Sequence, residues 1–255
     1  MLYLREYRPK ADRLFDHLPW VALIGPGLIL NKDGSFQKTL AFRGPDLASS
    51  TDAGLVATRA QLNNALRRLG SRWCLHIEAL RAASQDYPAS QFPDLVSDLV
   101  DEERREAFEG HERHFESRYF LTFTYLPPEE AVSTAESLLL ENAPSGRGAA
   151  GMYRAALSDF LSTVRQIADI LTAIMPEVHE LSDDETLTYL HGCISTKRHY
   201  VKAPETPAYL DAFLTDDDFQ GGLLPRLGAS FVRTISVRAY PATSSPGLLD
   251  RLNEL

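Results

Sequence analysis

The sequence predicts an α+β protein in which antiparallel sheet packs against helices, and three patterns carry that expectation. Apolar runs flank Asn31-Lys32-Asp33-Gly34-Ser35, where Asp-Gly supplies the positive backbone angles of a tight hairpin turn. Strand patterns starting at Trp73 and at Arg118 each follow a helical pattern. An apolar stripe at helical spacing then runs from Phe160 to Ile174, wide enough to be buried. With 255 residues, 44% of them hydrophobic, the chain can enclose a real core.

In chain order, a polar leader ends near Pro19, and the hairpin is expected near residues 27–42, with strands at about 27–31 and 35–42. From Ser50 or Thr51, either able to cap a helix, Leu55, Leu62, Leu66 and Leu69 recur at helical spacing until Gly70 stops them. Trp73, Leu75, Ile77 and Ala79 alternate with Cys74, His76 and Glu78, the period of a half-buried strand. After Pro88 and Pro93, a second helix is marked by Leu95, Val96, Leu99, Val100 and Phe108, and its charge run from Asp101 to Glu106 requires a solvated or salt-bridged outer face. The aromatic and β-branched run from Arg118 to Leu126 reads as a strand ended by Pro127 and Pro128.

Residues 142–151, rich in Gly and Pro, read as a mobile loop. The stripe from Phe160 predicts a long buried helix near residues 151–175, closed by Pro176. Ser182 caps a shorter helix whose first turn holds Asp183, Asp184 and Glu185, the charge that a helix N-terminus favours. Ser230 to Tyr240 alternates apolar residues with Arg233 and Arg238 and reads as a final strand, followed by a tail that begins a new helix.

The 26 basic and 35 acidic side chains leave a net charge of −9, which disfavours sequence-independent binding to a phosphate backbone. No direct nucleic-acid contact is expected. Cys74 and Cys193 lack CxxC spacing, which fits a reducing cytoplasm and neither a disulfide framework nor a zinc knuckle. The first residues carry charge from Arg5 onward and do not read as a secretory signal. The longest apolar run, Trp20 to Leu30, is interrupted by Gly25, Pro26 and Gly27, whereas a spanning helix needs about 20 apolar residues. No transmembrane segment is expected.

A nucleotide site of the Walker type needs GxxxxGK[ST], which places backbone amides, a lysine and a hydroxyl around phosphates and Mg²⁺. Neither Gly27 to Lys32 nor Gly146-Arg147-Gly148 supplies it. His111 and His114 have a metal-ligand spacing without a third ligand at a defined distance. Cys193 lies near His191 and His199 in the chain, and a nucleophile would need them within hydrogen-bond reach. Asp216, Asp217 and Asp218 lack the EF-hand spacing. Lys197, Arg198, His199 and Lys202 form a compact basic cluster that either meets an acidic partner or nucleic acid, or is screened by acids nearby. Trp20, beside Leu18 and Val21, is either a partner-facing anchor, since Trp is enriched at binding hot spots, or core.

Whole segments add a resemblance. MLYLREYRPKADRLFDHLPW, GLILNKDGSFQKTLAFRGPDL, LNNALRRLGSRW, RYFLTFTYLPP, STKRHY and FVRTISVRAYPATSSPGLLDRL resemble the N-terminal region of the CagE/TrbE/VirB family of conjugation ATPases in type IV secretion systems. The resemblance extends over nearly all 255 residues. It implies a single N-terminal docking and assembly domain over residues 1–255, from a larger ATPase at the cytoplasmic face of the bacterial inner membrane. Such proteins carry a C-terminal RecA-like motor that holds ATP and Mg²⁺, associate with membrane and other machine subunits, and are described as hexamers. This chain lacks that motor's Walker positions, so the resemblance implies no catalytic, cofactor-binding or metal-binding residue here. Trp20, Lys197, Arg198 and Lys202 are the partner-binding candidates.

Overall fold

A computed structural model describes residues 13–45, 50–83, 87, 90–110, 115–128 and 147–234. Three strands open the sheet: β1 (Trp20–Gly25), β2 (Leu28–Asn31) and β3 (Phe36–Arg43). They are joined by β4 (Trp73–Ala83), β5 (Phe115–Tyr125) and the short β6 (Glu177–Glu180). The order is β1-β2-β3-β5-β4, with β6 also on β3, and all pairings are antiparallel. One edge of β3 is shared, since β2 pairs with its Phe36 to Lys38 and β6 with its Leu40 to Arg43.

The helices are α1 (Leu14–His17), α2 (Asp52–Leu66), α3 (Leu95–Gly110), α4 (Arg147–Thr172), α5 (Asp183–Ile194) and α6 (Leu210–Phe213). Three two-residue strands, β7 (Phe219–Gln220), β8 (Arg226–Leu227) and β9 (Ser230–Phe231), form a separate small sheet.

Strand alternation distributes the side chains of the large sheet between two cores. Leu28, Leu30, Phe36, Leu40, Leu121 and Phe123 face α4, whose Ala156, Phe160, Val164, Ile167 and Leu171 recur at helical spacing to meet them. Leu62 and Leu66 of α2 pack against the same cluster. At its centre the fully buried Phe160 ring stacks on Trp73 at 5.4 Å and on Tyr125 at 6.2 Å. Ile29, between Leu28 and Leu30, points the other way and joins Leu18, Trp20, Leu187, Leu190, Ile194 and Leu210. Helices therefore cover both faces of an antiparallel sheet, the α+β arrangement expected.

Several elements differ from the sequence reading. The apolar run from Trp20 to Leu30 folds back on itself at Pro26 and Gly27, which makes β1 a strand of its own. Trp20 is only 7% exposed and belongs to the second core. That is the core alternative for this residue, and it removes Trp20 from any free surface. The long helix begins at Arg147, so residues 147–151 of the expected loop are its first turns, and 142–146 lie outside the described residues. Of the last strand only Ser230–Phe231 is extended and paired, while residues 235–240 and the tail lie outside the described residues. No described helix is long and apolar enough to cross a membrane.

Candidate functional site

The hairpin is held at both of its turns. Between β1 and β2, Gly27 has φ +59° and a buried backbone, and its N–H donates to Asp183 Oδ1 at 2.7 Å, on the first residue of α5. A Cβ there would lie 2.2 Å from the Leu181 carbonyl oxygen, so only glycine fits. The buried Lys38 Nζ donates to Pro26 O at 2.8 Å and pairs with Glu180 at 3.0 Å. Between β2 and β3, Gly34 has φ +79°, and Asp33 Oδ1 accepts from the Ser35 N–H at 3.0 Å. Lys32 Nζ then pairs with Asp211 at 2.9 Å and donates to Phe15 O at 2.7 Å.

Helix α5 starts as its sequence dictates. Ser182 and Glu185 form a reciprocal capping box, and the hydrogen bonds from the Ser182 backbone and hydroxyl hold the Glu185 carboxyl below its usual pKa. Asp184 accepts from Ala203 N–H and Tyr200 O–H, each at 2.7 Å. Those bonds, the backbone one first, lower its pKa and tie the segment after α5 back onto the helix.

That segment contains the basic cluster, and its charges are largely met within the chain. Lys197 Nζ lies 2.9 Å from Asp217 and 3.2 Å from Asp216, and donates to Asp216 O at 3.0 Å. Bonds to Asp217 and then Asp216 raise its pKa. Arg198 Nη1 donates to Gly192 O at 3.3 Å, capping the end of α5. Lys202 is exposed, on the side of Asp184. Burial opposes ionisation of Asp216, but His191, Ser195 and Lys197 outweigh it and hold its pKa below the ordinary carboxylate value. An open cleft lined by Thr215, Asp216, Asp217, Asp218, Gln220 and Gly228 lies alongside. Its carboxylates repel phosphate.

The Cys-His arrangement is not assembled as a nucleophile. Cys193 Sγ donates to Glu78 Oε2 at 3.3 Å across to β4. Part of the residue meets solvent, yet burial of the thiol, followed by the Glu78 carboxylate, pushes its pKa up to about 12. A reactive cysteine needs the opposite shift. His191, 3% exposed, stacks against His199 at 4.3 Å between ring centroids. Its Nε2 is 3.2 Å from Asp216 Oδ2, within ion-pair range but out of line for a hydrogen bond. Among the described residues no three His, Cys, Asp or Glu side chains gather to hold a metal. His111 and His114 lie outside the described residues.

What the arrangement can do is hold a rigid sheet and present surfaces, and relatives agree with a structural role in a larger system. Residues 27–133, from the hairpin turn past β5, match the family model described as "Type IV secretion system ATPase VirB4/TrbE, N-terminal domain". The conjugal transfer protein TrbE of Rhizobium radiobacter is 34% identical over 269 residues, covering 99% of this chain and 32% of that protein. In Sinorhizobium fredii a probable conjugal transfer protein TrbE exists as two separate chains. The first of them is 36% identical over 143 residues, 55% of this chain and 96% of that protein.

The chain belongs to the VirB4/TrbE family.

That family is one of type IV secretion ATPases, and the chain spans about a third of the length of the Rhizobium relative. The VirB4/TrbE match includes the hairpin, α2, β4, α3 and β5. The second Sinorhizobium fredii TrbE chain is 31% identical over 70 residues, 28% of this chain and 10% of that protein. Membership of this family implies a component of a type IV secretion system that assembles with other machine subunits.

Proposed function

We propose that the chain is the docking and assembly domain of a conjugation ATPase, and that it places the ATPase on the cytoplasmic face of the inner-membrane complex. In this reading, residues 1–255 form one such domain. ATP and Mg²⁺ belong to a RecA-like motor outside these residues, which powers machine assembly and the transfer of DNA and protein. Self-association, as hexamers, proceeds through the full-length protein. The observation that carries the reading is the match of residues 27–133 to a family model described as an N-terminal domain, in a sequence without GxxxxGK[ST].

The site geometry supports docking over chemistry. Cys193 is held as a thiol, and Lys197 is occupied by two aspartates, which leaves Lys202 and the rim of Arg198 as basic contacts for a partner. To test the reading, immobilised chain is incubated with detergent-solubilised membranes from conjugating cells and from cells lacking the secretion genes. Retention of type IV secretion subunits, identified by mass spectrometry, is the expected result. Retention of the same proteins from both membranes, or turnover of ATP by the purified chain, contradicts it.

A further inference from the structure

Helix α3 is built inside out. At about 100° per residue, Ser97, Asp101, Arg105 and Phe108 share one side, and this largely polar side is the one turned toward the chain. Asp101, 8% exposed, accepts from Tyr87 O–H at 2.7 Å and pairs with Arg105 at 3.3 Å. The Tyr87 ring meets Phe108 edge-on at 5.7 Å. The opposite side carries Leu95, Val96, Leu99 and Val100, which are 85%, 71%, 58% and 41% exposed. A surface helix ordinarily buries its apolar stripe, and adjacent large apolar side chains left in water mark a binding surface.

The same outward side turns acidic one turn further on, where Glu102, Glu103 and Glu106 are exposed. Between Asp94 and Glu109 there are seven carboxylates and two guanidinium groups. Position adds to exposure. β3 pairs with β5 only as far as Phe42 and Tyr119, and residues 115–118 of β5 pair with β4 alone. The β4–β5 pair thus extends past β3 as a two-stranded ribbon, with α3 in its connection. Neither core cluster includes a residue of α3.

We propose that the outward face of α3 docks a basic amphipathic segment of a partner protein. The partner's apolar side chains cover Leu95, Val96, Leu99 and Val100, and its Lys or Arg residues meet Glu102, Glu103 and Glu106. The proposal rests on the docking reading above and names its surface. Charge selects the occupant, because a second copy would bring the same acidic face and an anionic lipid surface the same sign. Residues 129–146 of the chain itself carry four glutamates and no Lys or Arg, which excludes them on the same ground.

The test uses the whole 255-residue chain and two labelled amphipathic helical peptides of matching pattern, one of Leu and Lys and one of Leu and Glu, in fluorescence anisotropy. The Leu/Lys peptide is expected to bind saturably, more weakly as salt is raised, and the Leu/Glu peptide not to bind. Val96→Ser with Leu99→Ser, and separately Glu102→Lys with Glu103→Lys, are each expected to weaken binding at least about tenfold while circular dichroism is unchanged. Equal binding by wild type and variants, or by both peptides, overturns the proposal. So does a concentration-dependent dimer that the Val96 and Leu99 changes dissociate, which would assign the face to a second copy. Binding to phosphatidylglycerol vesicles that the same changes abolish overturns it in favour of lipid. If the α3 variants are retained on machine subunits as well as wild type is, the docking reading stands and this surface is wrong.

Discussion

Replacing Gly27 by alanine tests the joint on which the two cores meet. A Cβ at this position would sit 2.2 Å from Leu181 O, far inside contact distance, and that oxygen belongs to backbone leading directly into α5. The turn must therefore shift, which breaks the 2.7 Å bond from Gly27 N–H to Asp183. Placing alanine at φ +59° costs about 1–2 kcal/mol. Losing a hydrogen bond to a charged acceptor adds about 1.5–3 kcal/mol. A total near 3–4 kcal/mol lowers the thermal midpoint by roughly 6–16 °C for a domain of this size. Gly44 is the control, since a Cβ there meets nothing within 4 Å, and Gly44→Ala should stay within about 0.5 kcal/mol. Adding Asp183→Ala to Gly27→Ala should cost less than the sum of the two, because both remove the same bond. Equal melting of Gly27→Ala and Gly44→Ala by differential scanning calorimetry would refute the reasoning.

Three further outcomes follow from the same structure. Cys193 should resist alkylation at pH 8.5 in the folded chain and react when the chain is unfolded in guanidinium. Its raised pKa contributes stability that is complete below the ordinary thiol value of 9.0 and is lost as pH rises toward about 12, and rapid native labelling counted by mass spectrometry would contradict the burial of its sulfur. Asp184 works in the opposite direction: its lowered pKa contributes stability present above the ordinary value of 3.8 and lost as pH falls below it. Wild type should therefore release Tyr200 in acid, seen in tyrosine fluorescence, whereas Asp184→Asn should show no such acid step. Phe160→Ala, which empties a fully buried position between Trp73 and Tyr125, should cost about 3–5 kcal/mol, and a loss under 1 kcal/mol in urea unfolding would show that α4 is not the keystone of the first core.

Local chemistry made much of this architecture legible. Asp33-Gly34 announced the turn because few residues adopt its backbone angles. Phe160, Val164, Ile167 and Leu171 repeat at a spacing that only a helix aligns, and all four are buried. Ser182 with Glu185 is a reciprocal cap that needs no distant partner. The apolar run from Trp20 to Leu30 was harder to divide, because continuous hydrophobicity fits one buried element as well as two. β6 escaped notice since Glu177-Val178-His179-Glu180 owes its extension to pairing with Leu40 to Arg43 rather than to its own pattern.

Tertiary placement decided the surfaces. The basic cluster looked open from Lys197 to Lys202, yet the aspartates that occupy Lys197 come from almost 20 residues further along. In α3 both the apolar and the polar side are visible on a helical wheel. Which of them turns inward is set by Tyr87 and Asp101, and no periodicity carries that information.

The central claim is that the chain docks on a membrane-embedded secretion machine without spanning the bilayer itself. Fractionation measures this directly: the tagged chain is expressed in cells carrying the remaining type IV secretion genes and in cells without them, and membrane and supernatant are compared. The account predicts membrane association only where the machine is present, released by the α3 variants Val96→Ser and Leu99→Ser together. An identical distribution in both strains would contradict it.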